Sequence, residues 1–182
     1  DRYLARTYTG AHERAAAGEL DHFMASSHDC LTLIIALDQF PRNIFRDTAR
    51  AYATDEKALA IAKHSLAQGY DKGFHKWAWA FSYLPFEHSE FLEDQERGIE
   101  LYRTLDDERS LTSAIGHCDA IRRFGRFPHR NTILGRENTP EEIEYLKDPP
   151  LWGMMATEAA AAEARKAAAA LDEAVGAELG ES

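Results

Sequence analysis

The chain has 182 residues and a mass of 20.5 kDa, about one domain, and is long enough to bury a core without disulfides or a structural metal. Hydrophobic residues make up 45% and charged residues 29%, which excludes a wholly disordered chain, and no apolar run approaches the ~18 residues of a membrane span. The 31 acids against 21 bases give a net charge of −10, which argues against nucleic acid or an anionic lipid surface as partner.

Residues 3–17 read as a first helix stopped by Gly18, followed by a short turn from Glu19 to Met24. A second helix, capped by Ser27 or Asp29, has the body CLTLIIAL, apolar on nearly every face and suited to the centre of a core. Pro41 is expected to end it. Thr54 is the predicted N-cap of a third helix, with Asp55 and Glu56 favouring its positive end, Leu59, Ala62 and Leu66 as its stripe, and Gly69 closing it. Residues 74–86 alternate large aromatics with small residues, which by period alone is a strand. A lone strand has no partner elsewhere, so a helix is predicted, with Trp77, Phe81 and Leu84 on one face. The prolines Pro41, Pro85, Pro128 and Pro140 are expected at helix boundaries.

Residues 89–105 predict a helix with Phe91, Leu92, Gln95, Ile99 and Tyr102 along one side. Asp107 is placed to cap the next, which runs to Phe124 and closes at Gly125. Gly98 and Gly116 fall inside these helices, where glycine costs about 1 kcal/mol against alanine, so a neighbouring helix is expected to come close. Thr139-Pro140-Glu141-Glu142 carries an N-cap, a proline at the first helical position and a glutamate three residues after the cap, predicting a short helix from Glu141 to Lys147. Residues 156–182 hold 12 alanines and the narrow stripe Leu171, Val175, Leu179. The division expected is a helical domain over 1–148 and an Ala-rich helical extension or tail over 149–182, hinged at Pro149-Pro150. The fold class is all-α, built of antiparallel helix hairpins.

Three segments carry the chemistry-bearing residues: LDQFPRNIFR from Leu37, YLPFEHSE from Tyr83, and HCDAIRRFGRFPHRNTILGRENTPEE from His117. The first and third echo one another, Phe40-Pro41-Arg42-Asn43 against Phe127-Pro128-His129-Arg130-Asn131, either as an internal duplication or as a common way to end a helix. LDQFPRN, LPFEHSE and RFGRFPHRN followed by LGRENTPEE resemble a bacterial family of unknown function, catalogued as domain of unknown function 924, over about residues 1–146. That resemblance implies a tetratricopeptide-like helical fold and no known reaction. The lack, before Asp1, of the aromatic-rich start that family members usually have and the alanine-rich tail are the departures from it.

From His117 to Arg136 five arginines, Arg122, Arg123, Arg126, Arg130 and Arg136, stand against the single acid Asp119. Together with Arg42 they are candidates for holding a small anion or an acidic partner, since guanidinium presents paired planar donors to phosphate or carboxylate. The alternative is internal pairing with Asp38, Glu87 and Glu90. Glu87, His88, Glu90, His117, Asp119 and His129 have the residue types for acid–base or metal work, but no metal spacing such as HExxH is present, so no metal and no cofactor are expected. No phosphate loop and no GxSxG are present. His117 and Cys118 are neighbours in sequence, but adjacent helix positions face apart, so they make no nucleophile–base pair. Cys30 and Cys118 fit a reducing compartment, the cytoplasm by default. The aromatics Trp77, Trp79, Phe81, Tyr83 and Phe86 are read as core rather than as a ligand groove.

Two functions follow as expectations. One is a non-catalytic helical-repeat module that binds another protein, or an accessory subunit whose residues 151–182 wrap a neighbour. The other is an enzyme or small-anion-binding protein using Glu87, Glu90 and His129 as acid–base or metal groups, with Arg42, Arg126 and Arg130 holding an anionic substrate.

Overall fold

The computed structural model describes residues 2–73, 76–150 and 152. The predicted extension over 149–182 lies almost wholly outside them. The described residues are helical with no strand, as an all-α reading requires. The chain divides into two units, residues 1–127 and 128–182.

In the first unit α1 spans Arg2–Ala16 and ends at Gly18, whose φ of +84° is costly for any residue with a Cβ. A 3₁₀ turn over Asp21–Ala25 leads to α2, Ser27–Ile34. The N-cap is Ser26, not Ser27 or Asp29, and its Oγ accepts the Asp29 N–H. Pro41 does not end this helix. The chain makes a π turn over Ile35–Gln39 and continues as α3, Phe40–Ile44.

The physical reason lies in where the carbonyls go. The Phe40 N–H reaches back five residues to the Ile35 oxygen, and Pro41 has no N–H to offer. The carbonyls of Ala36 and Leu37 are instead taken by side chains: His12 Nδ1 donates to Ala36 O at 2.9 Å and Thr54 Oγ1 to Leu37 O at 2.6 Å. Two residues distant in sequence satisfy the break, so the helix survives its proline.

Helix α4 is Asp55–Ala67, closed at Gly69 with φ +68°. Thr54 sits at its N-cap, but its hydroxyl serves Leu37 and not the helix. Helix α5 is Lys76–Glu87, which settles the strand-or-helix ambiguity, and Pro85 lies inside its last turn rather than at a boundary. Of the predicted face, Phe81 is exposed and Leu84 only half-buried, and the Trp77 side chain lies outside the described residues. Tyr83 and Phe86 go into the core with Trp79 packed against it, while Phe81 is 36% exposed.

Helix α6 is Leu92–Arg103. Its Gln95 and Tyr102 are buried as the stripe requires, but Phe91 and Leu92 at its start face outward. Helix α7, Glu108–Phe124, has Asp107 as its N-cap and Gly125 in the left-handed region at φ +70°. A Cβ on Gly98 would lie 3.2 Å from Phe86 Cβ, so α5 and α6 approach too closely for alanine to fit without a shift.

The core of this unit is continuous from Cys30, Leu33, Ile34 and Leu37 through Ala58 and Ile61 to Tyr83, Phe86, Leu101 and Tyr102. Each large side chain so buried contributes about 1.5–3 kcal/mol. Tyr83 and Tyr102 meet edge to face with ring centroids 5.8 Å apart.

In the second unit a 3₁₀ turn over Pro128–Arg130 precedes α8, Pro140–Tyr145. Thr139 and Glu142 form the predicted capping box, with Glu142 N donating to Thr139 Oγ1 at 3.2 Å and Thr139 N to Glu142 Oε2 at 2.7 Å. The helix is shorter than predicted, ending at Tyr145.

Candidate functional site

Helix α3, the π turn and the start of α4 bring three charges together. Asp38, on the π turn, is fully buried. Arg42 is one helical turn further on. Its Nη1 lies 3.2 Å from Asp38 Oδ1 and also donates to the Asp38 carbonyl at 2.8 Å. The same guanidinium forms a fork on Asp55, with Nη1 to Oδ1 at 2.8 Å and Nη2 to Oδ2 at 2.9 Å. Gln39 Nε2 donates to Asp38 Oδ2 at 2.6 Å.

His88, just past the end of α5, completes this group. Its Nδ1 is 2.7 Å from Asp38 Oδ1. A carboxylate can only accept, so Nδ1 carries the proton and Nε2 is the basic atom of the neutral ring. Burial by itself would raise the Asp38 carboxyl, but the charges of His88 and Arg42 and its hydrogen bonds outweigh burial and hold it well below the usual carboxylate range. For His88 burial and the nearby Arg42 charge win over Asp38, and the imidazole is held below its ordinary value. The group is thus a buried carboxylate orienting a neutral imidazole.

The turn that places His88 is tied down by Gln95 of α6. Its Nε2 donates to Glu87 O at 2.7 Å and to Ser89 O at 2.6 Å, taking carbonyls left open at the end of α5. Ser89 Oγ accepts the Phe91 N–H and donates to Asp94, closing the turn.

A second carboxylate–imidazole pair stands beside the first. Glu87, the last residue of α5, is buried; its Oε1 accepts from Ser113 Oγ at 2.6 Å and lies 2.9 Å from His117 Nδ1, both on α7. His117 Nδ1 also lies 2.9 Å from the Ser113 carbonyl. Burial opposes ionisation of Glu87, but the His117 hydrogen bond and charge, with His88 and Ser113, outweigh it and lower its carboxyl. The His88 and His117 rings are 6.3 Å apart by centroid.

Two cavities open on these pairs. One of about 250 Å³ is walled by Tyr52, Asp55, Glu56, His88, Glu90 and Phe91. The other, about 360 Å³, has Glu87 and Ser113 in its wall with Phe81, Leu84, Tyr102 and Arg109.

The sequence-predicted residues divide among these places. Asp38, Arg42, Glu87 and His117 are in the buried network. Glu90 is at the first cavity, and its Oε1 accepts the Phe127 N–H at 2.8 Å. Asp38 and Glu87 pair with Arg42, His88, His117 and Ser113 rather than with arginines of the third segment.

Those arginines fall in both units. Arg122 is exposed and meets Asp119 at 2.9 Å and Glu96 at 3.4 Å, and the exposed Arg123 lies over the Phe124 ring at 4.7 Å. Arg126 is half-buried in the turn after Gly125. Arg130 and Arg136 belong to the second unit, where Arg130 is buried and the Arg136 N–H donates to Asn131 O at 2.7 Å. His129 is also there, its ring 5.6 Å from that of Trp152. Of the third-segment arginines in the first unit, Arg122, Arg123 and Arg126 are not among the described residues lining either cavity.

Asp55, Gln39 and Ser113 escaped sequence reasoning. Asp55 looked like a helix N-terminal charge and nothing more, and Ser113 has no local signal. The buried free thiols of Cys30 and Cys118 are both pushed up by burial, which makes them poor nucleophiles. Among the described residues no group of three or more His, Cys, Asp or Glu is placed to hold a metal ion, and no helix is long and apolar enough to cross a membrane.

These features define the class: an all-α protein with a buried carboxylate–imidazole–guanidinium network set beside two cavities. The chain belongs to the family described as bacterial protein of unknown function (DUF924), whose signature matches residues 1–150. It is similar to a solved structure titled as a protein of unknown function, ATU0120, from Agrobacterium tumefaciens. The two share 44% identity over 78% of this chain and 80% of that one, with a TM-score of 0.75. No curated protein matches the chain.

Proposed function

We propose that this protein binds a small ligand in the 250 Å³ cavity and that His88 takes a proton from it there as a general base. The observation that carries this reading is the 2.7 Å contact of His88 Nδ1 with the fully buried Asp38, at the wall of a cavity. A neutral imidazole whose other nitrogen is fixed by a carboxylate has the tautomer and orientation that proton abstraction needs. Arg42, itself held by Asp55, holds Asp38 in place, so the dyad is positioned before any ligand arrives. A π turn carrying the carboxylate adds weight, since such turns cluster at functional sites.

The charge of the cavity selects the ligand. Asp55, already engaged by Arg42, stands in its wall with Glu56 and Glu90, and no arginine is among the described residues lining it. A cationic or hydrogen-bond-donating molecule suits it, and the anion expected from the arginine count does not. The test is a thermal-shift and amide-NMR titration with methylammonium, guanidinium and short polyamines. Saturable shifts at Ser89 and Phe91 that vanish in His88→Gln support the reading; binding of phosphate or carboxylates at those amides instead would sink it.

A second reading is a protein-interaction module of tetratricopeptide-like hairpins. It is favoured by α5, α6 and α7 packing on one another in chain order through turns too short for anything but antiparallel neighbours. Native mass spectrometry of the protein from its own source, with and without residues 149–182, tests it: an associated chain lost on truncation supports it, and a lone subunit in both cases counts against it.

A further inference from the structure

The larger cavity is a separate place, and the proposal about it does not rest on His88 acting as a base. Its inner wall holds Glu87, a carboxylate only 4% exposed and kept ionised, with Oε1 engaged by Ser113 and His117. Its side walls are apolar and aromatic: Phe81 and Leu84 from α5 and Tyr102 from α6. Arg109, in the first turn of α7, and the N-cap Asp107 also line it; Asp107 accepts from the Arg109 N–H and Ser110 Oγ, while the exposed Arg109 side chain makes no ion pair among the described residues. A buried anion, an apolar stretch and an exposed cation therefore border one space of about 360 Å³, with the Asp107 carboxylate already taken up in capping α7, and the size is within the range of ligand pockets.

We infer that this cavity binds an elongated zwitterion, a linear ω-amino acid, with its primary ammonium at Glu87 and its carboxylate at Arg109. The chain between them lies against Phe81 and Leu84. A simple amine would leave Arg109 unused. A simple carboxylate would set its apolar end against the buried charge of Glu87, which burial makes unfavourable. An α-amino acid carries both charges on one carbon and cannot meet an inner carboxylate and an outer guanidinium together.

Four probes of similar size separate these cases: 6-aminohexanoate, its isomer norleucine, hexylamine and hexanoate. Binding is followed by the amide resonances of Phe81, Ser110 and Ser113 in the full chain. The expected result is saturable binding of 6-aminohexanoate, roughly two- to fivefold tighter than hexylamine, as one exposed ion pair provides, and tighter still than norleucine or hexanoate. Arg109→Ala, at an exposed position that keeps the fold, should bring 6-aminohexanoate and hexylamine to the same affinity. Glu87→Gln should abolish binding of both amines, judged only if its melting curve remains cooperative. No saturable shift with 6-aminohexanoate, norleucine binding equally well, or an Arg109→Ala protein that still prefers the zwitterion would each overturn the inference.

Discussion

His88 Nδ1 sits 2.7 Å from Asp38 Oδ1, joining a residue just past the end of α5 to one on the π turn 50 positions earlier in the chain. The contact couples fold and chemistry. The π turn brings Asp38 into the core, Arg42 keeps it ionised, and His88 is oriented by it.

Asp38→Asn removes the negative charge between Arg42 and His88. Asp55 still holds Arg42, so the guanidinium is not stranded entirely. The expected loss is about 3 kcal/mol, the lower end for breaking a buried ion pair. Urea unfolding measures it, and a change below about 1 kcal/mol would mean that Asp38 is held by its neighbours at little electrostatic cost.

Stability should fall on acidification in two stages. The folded value of His88 lies below its ordinary 6.5, so as pH drops through that value the unfolded chain takes up a proton that the folded one refuses. Asp38 and Glu87 are likewise lowered, from 3.8 and 4.5, so their stabilisation is intact above those values and is lost as pH falls toward the folded ones. All three have the same sign: the unfolded state binds more protons. In His88→Gln the urea midpoint should change less between pH 7 and 5, with the fall below pH 4 retained. A slope unchanged by that substitution contradicts a neutral His88.

Thr54→Val keeps the shape of the side chain and deletes its donor. The Leu37 carbonyl, which Pro41 cannot serve, then loses its partner. The expected cost is about 1–3 kcal/mol, with faster amide exchange around residues 35–40 as the specific sign. Exchange raised uniformly over the molecule would point to general destabilisation instead.

Two glycines in helices should respond with opposite signs. A Cβ at Gly10 meets nothing within 4 Å, so Gly10→Ala gains helix propensity and stabilises by up to about 1 kcal/mol. At Gly98 the Cβ meets Phe86 Cβ at 3.2 Å, an atom fixed close to its own backbone, and Gly98→Ala should destabilise by about 1–2 kcal/mol. Thermal melts of the pair decide it.

What was legible in the sequence was what neighbours in the chain decide. Asp107 and Gly125 mark the ends of α7, Thr139 and Glu142 announce their capping box, and Gly98 signals a close approach of helices. What was not legible depends on distant partners. Pro41 reads as a stop because local rules cannot know that His12 and Thr54 will take the open carbonyls. Asp55 reads as a helix-end charge because nothing in the sequence ties it to Arg42. The run of arginines is continuous in sequence, but local rules do not show that Arg130 and Arg136 belong to a second unit or that Arg122 and Arg123 are exposed. The acids of the network were recognised as chemistry-bearing, but their partners were set by tertiary contacts.

The most direct test is a pH titration of the His88 ring by two-bond ¹H–¹⁵N NMR, with His88→Gln used for assignment. The account predicts a neutral ring at pH 7 with its proton on Nδ1, and a midpoint below 6.5. A ring protonated at neutral pH, or carrying its proton on Nε2, would contradict the general-base reading.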